Sequence, residues 1–183
     1  MKESREEDVM ELFFNEPTKH WHFEEIAREV GITRSKADKW LKRFVKESLI
    51  KRVKERKKMP YYISNYNLSN YQNKKRLFAF KKLYETGFLN HLSSLKKART
   101  IIIFGSFTRW DWYKESDIDL FIYGNPEGLS IGRYEINLHR DIQVFICKNL
   151  KELKKLGKGL IRNIIKGDII KGDIQFLKVT PYA

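Results

Sequence analysis

The sequence predicts an α+β protein in which a basic helical part precedes a mixed α/β part. In the first 98 residues, apolar side chains recur mostly at helical spacing. From Arg99 the pattern changes, because residues 100–104 form an apolar run suited to a buried strand. The charge changes at the same place: residues 1–99 carry 24 Lys or Arg against 13 Asp or Glu, and residues 100–183 carry 13 against 10. These observations predict two parts with different tasks and a polyanion as partner of the first.

The first part is predicted to contain three helices followed by a two-stranded hairpin. Pro17 stops the first helix, Gly31 is placed to end the second, and Thr33 can cap the third. A basic turn separates the two strands of the hairpin. The predicted helices cover residues 4–15, 23–30 and 34–46, and the predicted strands cover residues 49–53 and 60–63.

The third predicted helix has an apolar stripe on one side and basic side chains on the other. The stripe consists of Ala37, Trp40, Leu41, Phe44 and Val45. A helix with one buried and one cationic face is what contacts to nucleic-acid phosphates need. The candidate DNA-binding residues are Arg34, Ser35, Lys39, Lys42, Arg43 and Lys46 in the helix and Arg56, Lys57 and Lys58 in the hairpin turn.

This order of helices, Gly-containing turn, basic helix and basic hairpin resembles a winged helix-turn-helix domain over about residues 1–65. The resemblance implies a recognition helix, from Arg34 to Lys46, in the major groove of DNA and a wing on the phosphate backbone. The alternative is a protein docking or dimerisation module, because winged helices also serve in those roles.

A helical connector is predicted to follow this part. Apolar residues between Leu77 and Leu95 recur at helical spacing, with an interruption near Gly87. Their face would pack on the next domain or pair with a second copy of the chain, giving a homodimer. The predicted domains are residues 1–68, a connector helix at 69–98, and the α/β part at 99–183.

The α/β part contains two short polar motifs next to apolar runs. Asp117 and Asp119 stand two positions apart at the start of a strand, so both point to one face and can share divalent cations. Before them, and separated from Asp117 by ten residues, Gly105 and Ser106 end a strand at a turn that could open a helix, whose N–H groups would face a phosphate. Together these are the parts of a phosphoryl-transfer site.

Beyond these motifs, the predicted elements are strands at 118–123 and 140–147, a helix at 150–167 and a strand-like end at 174–179. Lysines 151, 154, 155 and 158 share one face of that helix, which favours a solvated surface, although they could guide a nucleic acid or a nucleotide. Between the two motifs, Trp112 and Tyr113 favour packing over stacking on a base.

The succession of strand, GS, helix, DxD and strand, with a carboxylate on a later strand, resembles the minimal nucleotidyltransferase family of the DNA polymerase beta superfamily. The resemblance covers about residues 99–180 and implies a polymerase-beta-like α/β domain with a mixed sheet. It implies that Asp117 and Asp119 coordinate a pair of magnesium ions and that Asp141 completes this two-metal site and helps to deprotonate the acceptor.

The same resemblance assigns the nucleotide-binding residues. Gly105 and Ser106 would hold the nucleoside triphosphate, and Arg109 would neutralise charge on its phosphates. Trp110 stands where the family usually carries Gly, which makes this loop bulkier than the family pattern.

These inferences predict a metal-dependent nucleotidyltransferase that moves an NMP group, with AMP from ATP expected, to an unidentified acceptor. By resemblance, a HEPN-type toxin protein is one acceptor, because members of the family are often antitoxins of such toxins. The alternative is a DNA-binding regulator whose transferase-like domain senses nucleotide or mediates dimerisation. Transfer to a small molecule such as an aminoglycoside lacks an obvious substrate domain.

The sequence also bears on location. No segment approaches the length of a membrane span, the amino terminus lacks the apolar core of a signal peptide, and Cys147 is the single cysteine. A cytoplasmic protein that does not contact membranes is therefore expected.

Overall fold

The computed structural model describes residues 5–176 and confirms the predicted α+β class with a mixed sheet. Eight helices and six strands occur among these residues. They form two compact units: unit 1 comprises residues 5–75 and 112–114, and unit 2 comprises residues 76–111 and 115–176. No helix among residues 5–176 combines the length and the apolarity needed to cross a membrane.

Unit 1 contains three helices and a hairpin, as the sequence predicts. Gly31 ends the second helix in the left-handed conformation at φ 64°, and the Thr33 hydroxyl accepts a hydrogen bond from the Lys36 N–H at 3.4 Å. The elements are α1 (Glu6–Asn15), α2 (Phe23–Val30), α3 (Arg34–Lys46), β1 (Ile50–Val53), β2 (Tyr61–Ser64) and the first part of α4 (Ser69–Glu85).

The core of unit 1 lies between α1, α3 and the antiparallel hairpin. Ala37, Leu41 and Phe44 are buried, as their spacing predicts, and Phe13 of α1 is buried as well. The predicted apolar stripe of α3 includes one residue that is not in the core, because Val45 remains 38% exposed.

Unit 2 is built on a four-stranded sheet with the order β5-β4-β3-β6. Strand β3 is antiparallel to β4 and β6, and β4 is parallel to β5. The remaining elements are α5 (Phe88–Ser94), β3 (Ala98–Phe104), β4 (Ile118–Gly124), α6 (Gly132–Leu138), β5 (Ile142–Cys147), α7 (Leu150–Leu153), α8 (Lys158–Ile165) and β6 (Asp168–Lys171).

Three predictions for this unit are wrong. Residues 106–110 form turns instead of a helix, and the long final helix is divided into α7 and α8 because Gly157 adopts an extended backbone. Within the described residues the last strand is β6. Residues 174–176 lie in a bend and a turn, and residues 177–179 of the predicted strand are outside the described part of the chain. Helix α6 was not predicted, since its seven residues carry no clear apolar period.

The connector region is helical, with the predicted interruption at Gly87, which has φ 77°. Leu83, Phe88 and Leu92 are buried, but Leu77 and Tyr84 are 69% and 65% exposed. The homodimer and the predicted domain limits stay predictions.

Candidate active site

The site lies where β3 ends and β4 begins. Asp119 pairs with Phe104, so Gly105, the residue that follows β3, reaches the Asp119 carboxylate directly. Gly105 has φ 82°, and a Cβ built on it would overlap with Oδ2 of Asp119. This position therefore needs glycine for its backbone conformation and for the space that the carboxylate occupies.

Asp117 and Asp119 are brought together, as their spacing predicts. Asp119 is half-buried, and this burial raises its pKa above the ordinary value; the negative charge of Asp117 raises it further, while Arg109 opposes the shift. Two carboxylates that repel each other, of which Asp119 is partly desolvated, are a donor set that a divalent cation would stabilise.

Arg109 is held by a neighbour in the same loop. Its Nε and Nη2 donate to the two carboxylate oxygens of Asp111, each at 3.1 Å. Both side chains are more than 40% exposed, so the pair contributes about 1 kcal/mol or less. A phosphate can take the place of the Asp111 carboxylate, because both ligands accept two parallel hydrogen bonds from a guanidinium.

Asp141 directly precedes the neighbouring strand β5, at the level of Asp117. The parallel register joins Ile118 to Ile142, and each Asp precedes that pair by one residue. The Asp141 carbonyl accepts the Ile118 N–H at 2.9 Å, and the Asp141 side chain is exposed. Among residues 5–176, no group of three or more His, Cys, Asp or Glu side chains is arranged to hold a metal ion. The role of Asp141 as third ligand stays a prediction.

The turn after Gly105 differs from the predicted helix start. The Thr108 hydroxyl donates to the Gly105 carbonyl at 3.3 Å, and the Arg109 N–H donates to the Ser106 carbonyl at 3.0 Å. Side-chain bonds of this kind compete with a helical ladder, which explains the turn. Any N–H groups that Gly105 and Ser106 offer to a phosphate would thus belong to a tight turn.

Arg140 is a site neighbour that the sequence analysis missed. Its Nη1 donates to the Ser116 carbonyl at 2.8 Å, directly before Asp117, and its guanidinium lies 5.3 Å from the centre of the Phe107 ring. The Arg140 side chain thus contacts Phe107, which follows Ser106, and Ser116, which precedes Asp117. In the sequence, only its position directly before Asp141 indicated that Arg140 would lie near the site.

The middle of the loop between the two motifs belongs to unit 1. Trp112 is 1% exposed, packs edge-on against Phe14 with ring centres 6.1 Å apart, and lies 4.2 Å from the Lys75 Nζ. That Nζ also donates to the carbonyls of Phe14 and Trp112. Trp112 is therefore a core residue, in agreement with the packing interpretation.

The predicted DNA-binding residues fall into two groups. Several are paired with acids: Arg34 with Glu24, Lys42 with Asp38, Arg43 with Glu6 and Glu47, and Lys58 with Glu55. The others are exposed and, within the described residues, have no acidic partner; they are Ser35, Lys39, Lys46, Arg56 and Lys57.

A cavity of about 780 Å³ in unit 1 lies between the start of α2, α3 and the hairpin.

Comparison with protein families gives a match that includes the candidate site. Residues 89–173 match a family model described as Polymerase beta, Nucleotidyltransferase, and this range contains all the candidate residues from Gly105 to Asp141. No curated protein and no solved structure matches the chain. Residues 89–173 are therefore similar to the nucleotidyltransferase domains of polymerase beta type that this model describes.

Proposed function

We propose that this protein transfers an NMP group, with AMP as the expected group, from a nucleoside triphosphate to an acceptor hydroxyl. The observation that carries the proposal is the Asp119 carboxylate against the Gly105 turn, with the charge of Asp117 acting on it, inside the matched region. The acceptor oxygen forms a bond to the α-phosphorus, the bond to pyrophosphate breaks, and the hydroxyl proton passes to a base, for which Asp141 is the candidate.

The residues present fit magnesium. Hard oxygen ligands suit this ion. Burial, and then the negative charge of Asp117, raise the pKa of Asp119, and a bound cation would offset both effects. Asp117 and Asp119 would hold it, with Asp141 as the proposed third ligand of a two-metal site. When bound, magnesium supplies positive charge to the attacking and leaving oxygens. Arg109 would exchange Asp111 for a phosphate and add a further cation.

For unit 1, we propose DNA binding by a winged helix. The exposed cations Lys39 and Lys46 of α3 and Arg56 and Lys57 of the hairpin support it, since no acid neutralises them within the described residues. The paired cations, such as Arg34, would have to exchange a carboxylate for a phosphate, which weakens their contribution. A homodimer and a HEPN-type toxin as acceptor rest on resemblance alone.

One observation favours the alternative function, a DNA-binding regulator that senses nucleotide. The bidentate pair of Arg109 with Asp111 places a carboxylate where a phosphate would bind. Nucleotide could then exchange with that carboxylate without any transfer step.

Calorimetric titration with ATP, GTP, CTP and UTP, with and without magnesium, tests the proposal. We expect magnesium-dependent binding of ATP that is lost in an Asp117→Asn, Asp119→Asn double variant. The matched control removes two exposed acids of unit 2 far along the chain, Glu85→Gln and Glu127→Gln, and should bind as the wild type does. Absence of binding by the folded wild type would contradict the transferase proposal.

A further inference from the structure

The cavity in unit 1 is not explained by the functions proposed above. Its volume of about 780 Å³ lies within the range of about 300–1,000 Å³ that is usual for pockets holding small molecules. Three elements surround it: the start of α2, one side of α3, and the hairpin of β1 and β2. Ligand sites typically combine such a concave shape with an apolar wall and a few polar groups, and the side chains of this cavity have that composition.

Much of the wall of the cavity is apolar. Phe23, Val45, Met59, Pro60 and Tyr62 line it. Two of these side chains are open to solvent, since Val45 is 38% and Met59 is 74% exposed. Val45 belongs to the apolar stripe of α3 and yet lies outside the core, and its position in the wall of the cavity accounts for that exception. A ligand with an apolar body would remove both exposed side chains from water.

Arg52 reaches the cavity from the side of the hairpin that faces the core. It pairs with Tyr62, and the next pair on the same face joins Ile50 to Ser64. These three neighbours are buried, whereas Arg52 is exposed and lines the cavity. The alternation of the strand would favour an apolar side chain at this position. The guanidinium therefore lies where the core of unit 1 ends and the cavity begins.

The two acids that line the cavity are already paired with cations. Glu24 accepts from Nη2 of Arg34 at 3.0 Å, and Asp38 accepts from Nζ of Lys42 at 2.7 Å. Within the part of the chain that the structure describes, Arg52 has no acidic partner. The cavity thus presents one uncompensated guanidinium beside an apolar wall.

This combination indicates an organic anion as the ligand. A guanidinium binds a carboxylate through two parallel hydrogen bonds and keeps its charge over the whole ordinary pH range. The backbone of a nucleic acid would contact the guanidinium through a phosphate, but it has no apolar body to cover Val45 and Met59. A small carboxylate with an aliphatic or aromatic body matches both the charge and the wall.

We propose that the cavity bordered by α2, α3 and the hairpin binds a small carboxylate with an apolar body. Arg52 holds the carboxylate group, and Val45, Met59 and Tyr62 contact the body of the ligand. This inference depends neither on the transferase proposal nor on DNA binding by unit 1.

Calorimetric titration of the full chain with octanoate, phenylbutyrate and naphthylacetate tests the inference. Each carboxylate is compared with its neutral amide, which keeps the apolar body and lacks the charge. The variants are Arg52→Gln, which removes the cation, and Met59→Gln, which makes the wall more polar at nearly constant size. Lys51→Gln is the matched control, because Lys51 is exposed on the opposite face of the same strand. Thermal unfolding establishes that each variant is folded.

We expect at least one of the carboxylates to bind the wild type with a Kd of about 1 mM or less, and its amide to bind about tenfold more weakly. Arg52→Gln should lose about tenfold in affinity for the carboxylate and should bind the amide as the wild type does. Met59→Gln should weaken the binding of both compounds by about threefold, because the wall contacts the body that they share. Lys51→Gln should bind both compounds as the wild type does.

Failure of all three carboxylates to bind the folded wild type would overturn the inference. Equal affinity for carboxylate and amide would show that the guanidinium is not used, and equal losses in Arg52→Gln and Lys51→Gln would show that only the overall charge of the hairpin matters. Unchanged affinity in Met59→Gln would remove the apolar wall from the site. Each of these three results would also overturn it. Carboxylate binding through Arg52 in a chain that binds neither ATP nor DNA would support this site while the proposed functions fail.

Discussion

The contact between Gly105 and Asp119 gives the most specific prediction of this account. Replacing Gly105 by Ala leaves the residue at φ 82° and puts its Cβ onto the Asp119 carboxylate. The left-handed backbone costs an L residue about 1–2 kcal/mol. Relieving the overlap costs about 1–3 kcal/mol more if the chain shifts, as in other overpacked positions. We therefore expect Gly105→Ala to lower the free energy of unfolding by about 2–5 kcal/mol.

Gly87 provides the matched control. It has φ 77°, but a Cβ built there meets no atom within 4 Å. Gly87→Ala should therefore cost only the backbone term, about 1–2 kcal/mol. The difference between the two variants isolates the contact with Asp119.

Denaturant unfolding and calorimetric binding of magnesium-ATP measure the two consequences. Gly105→Ala should lose nucleotide binding even where it remains folded, because the carboxylate must move, whereas Gly87→Ala should bind as the wild type does. If Gly105→Ala binds magnesium-ATP normally and is no less stable than Gly87→Ala, the proposed geometry of the site is wrong.

Three further predictions concern single side chains. Because the pKa of Asp119 is raised in the folded protein, ionisation of its carboxyl group opposes folding as pH rises. Near neutral pH, Asp119→Asn should therefore unfold at a higher temperature than the wild type. In acid, where the carboxyl group is protonated in both states, the two melting temperatures should be equal. Trp112→Ala should lower the free energy of unfolding by about 3–5 kcal/mol, whereas Tyr113→Ala, at an exposed position, should change it by about 0.5 kcal/mol, as denaturant titration will show. Asp111→Asn should bind ATP up to about fivefold more tightly by calorimetry, because Arg109 no longer has a competing carboxylate; weaker binding would show that the pair supports the site.

Much of the fold could be predicted because local signals agreed with tertiary packing. Gly31 and Thr33 end and cap their helices where the sequence places them, since a left-handed Gly and a hydroxyl cap act on their own turn. Strands β3 and β4 were predictable because each is an apolar run whose side chains are almost all buried.

The wrong predictions arise where the decisive contact joins residues that are distant in sequence. They also arise where an element is too short to show a hydrophobic period. The turn after Ser106 depends on the Thr108 hydroxyl and on the burial of Phe107, and neither is visible as a pattern. The burial of Trp112 depends on Phe14 and Lys75, which lie far from it along the chain.

For the site, the interaction of Asp117 with Asp119 could be predicted from their spacing alone, because the spacing along a strand is a local property. The approach of Gly105 to Asp119 required the register between β3 and β4, which no single segment contains. The pairing of Arg109 with Asp111 depends on a loop conformation that the sequence does not specify.

The central claim is that Asp117 and Asp119 together hold a divalent cation with nucleotide, and electron paramagnetic resonance of Mn²⁺ tests it most directly. Mn²⁺ accepts the same oxygen ligands as magnesium. In the presence of ATP, we predict protein-bound Mn²⁺ in the wild type and in Glu127→Gln, and its loss in Asp119→Asn. Equal binding of Mn²⁺ by the wild type and by Asp119→Asn would contradict the account.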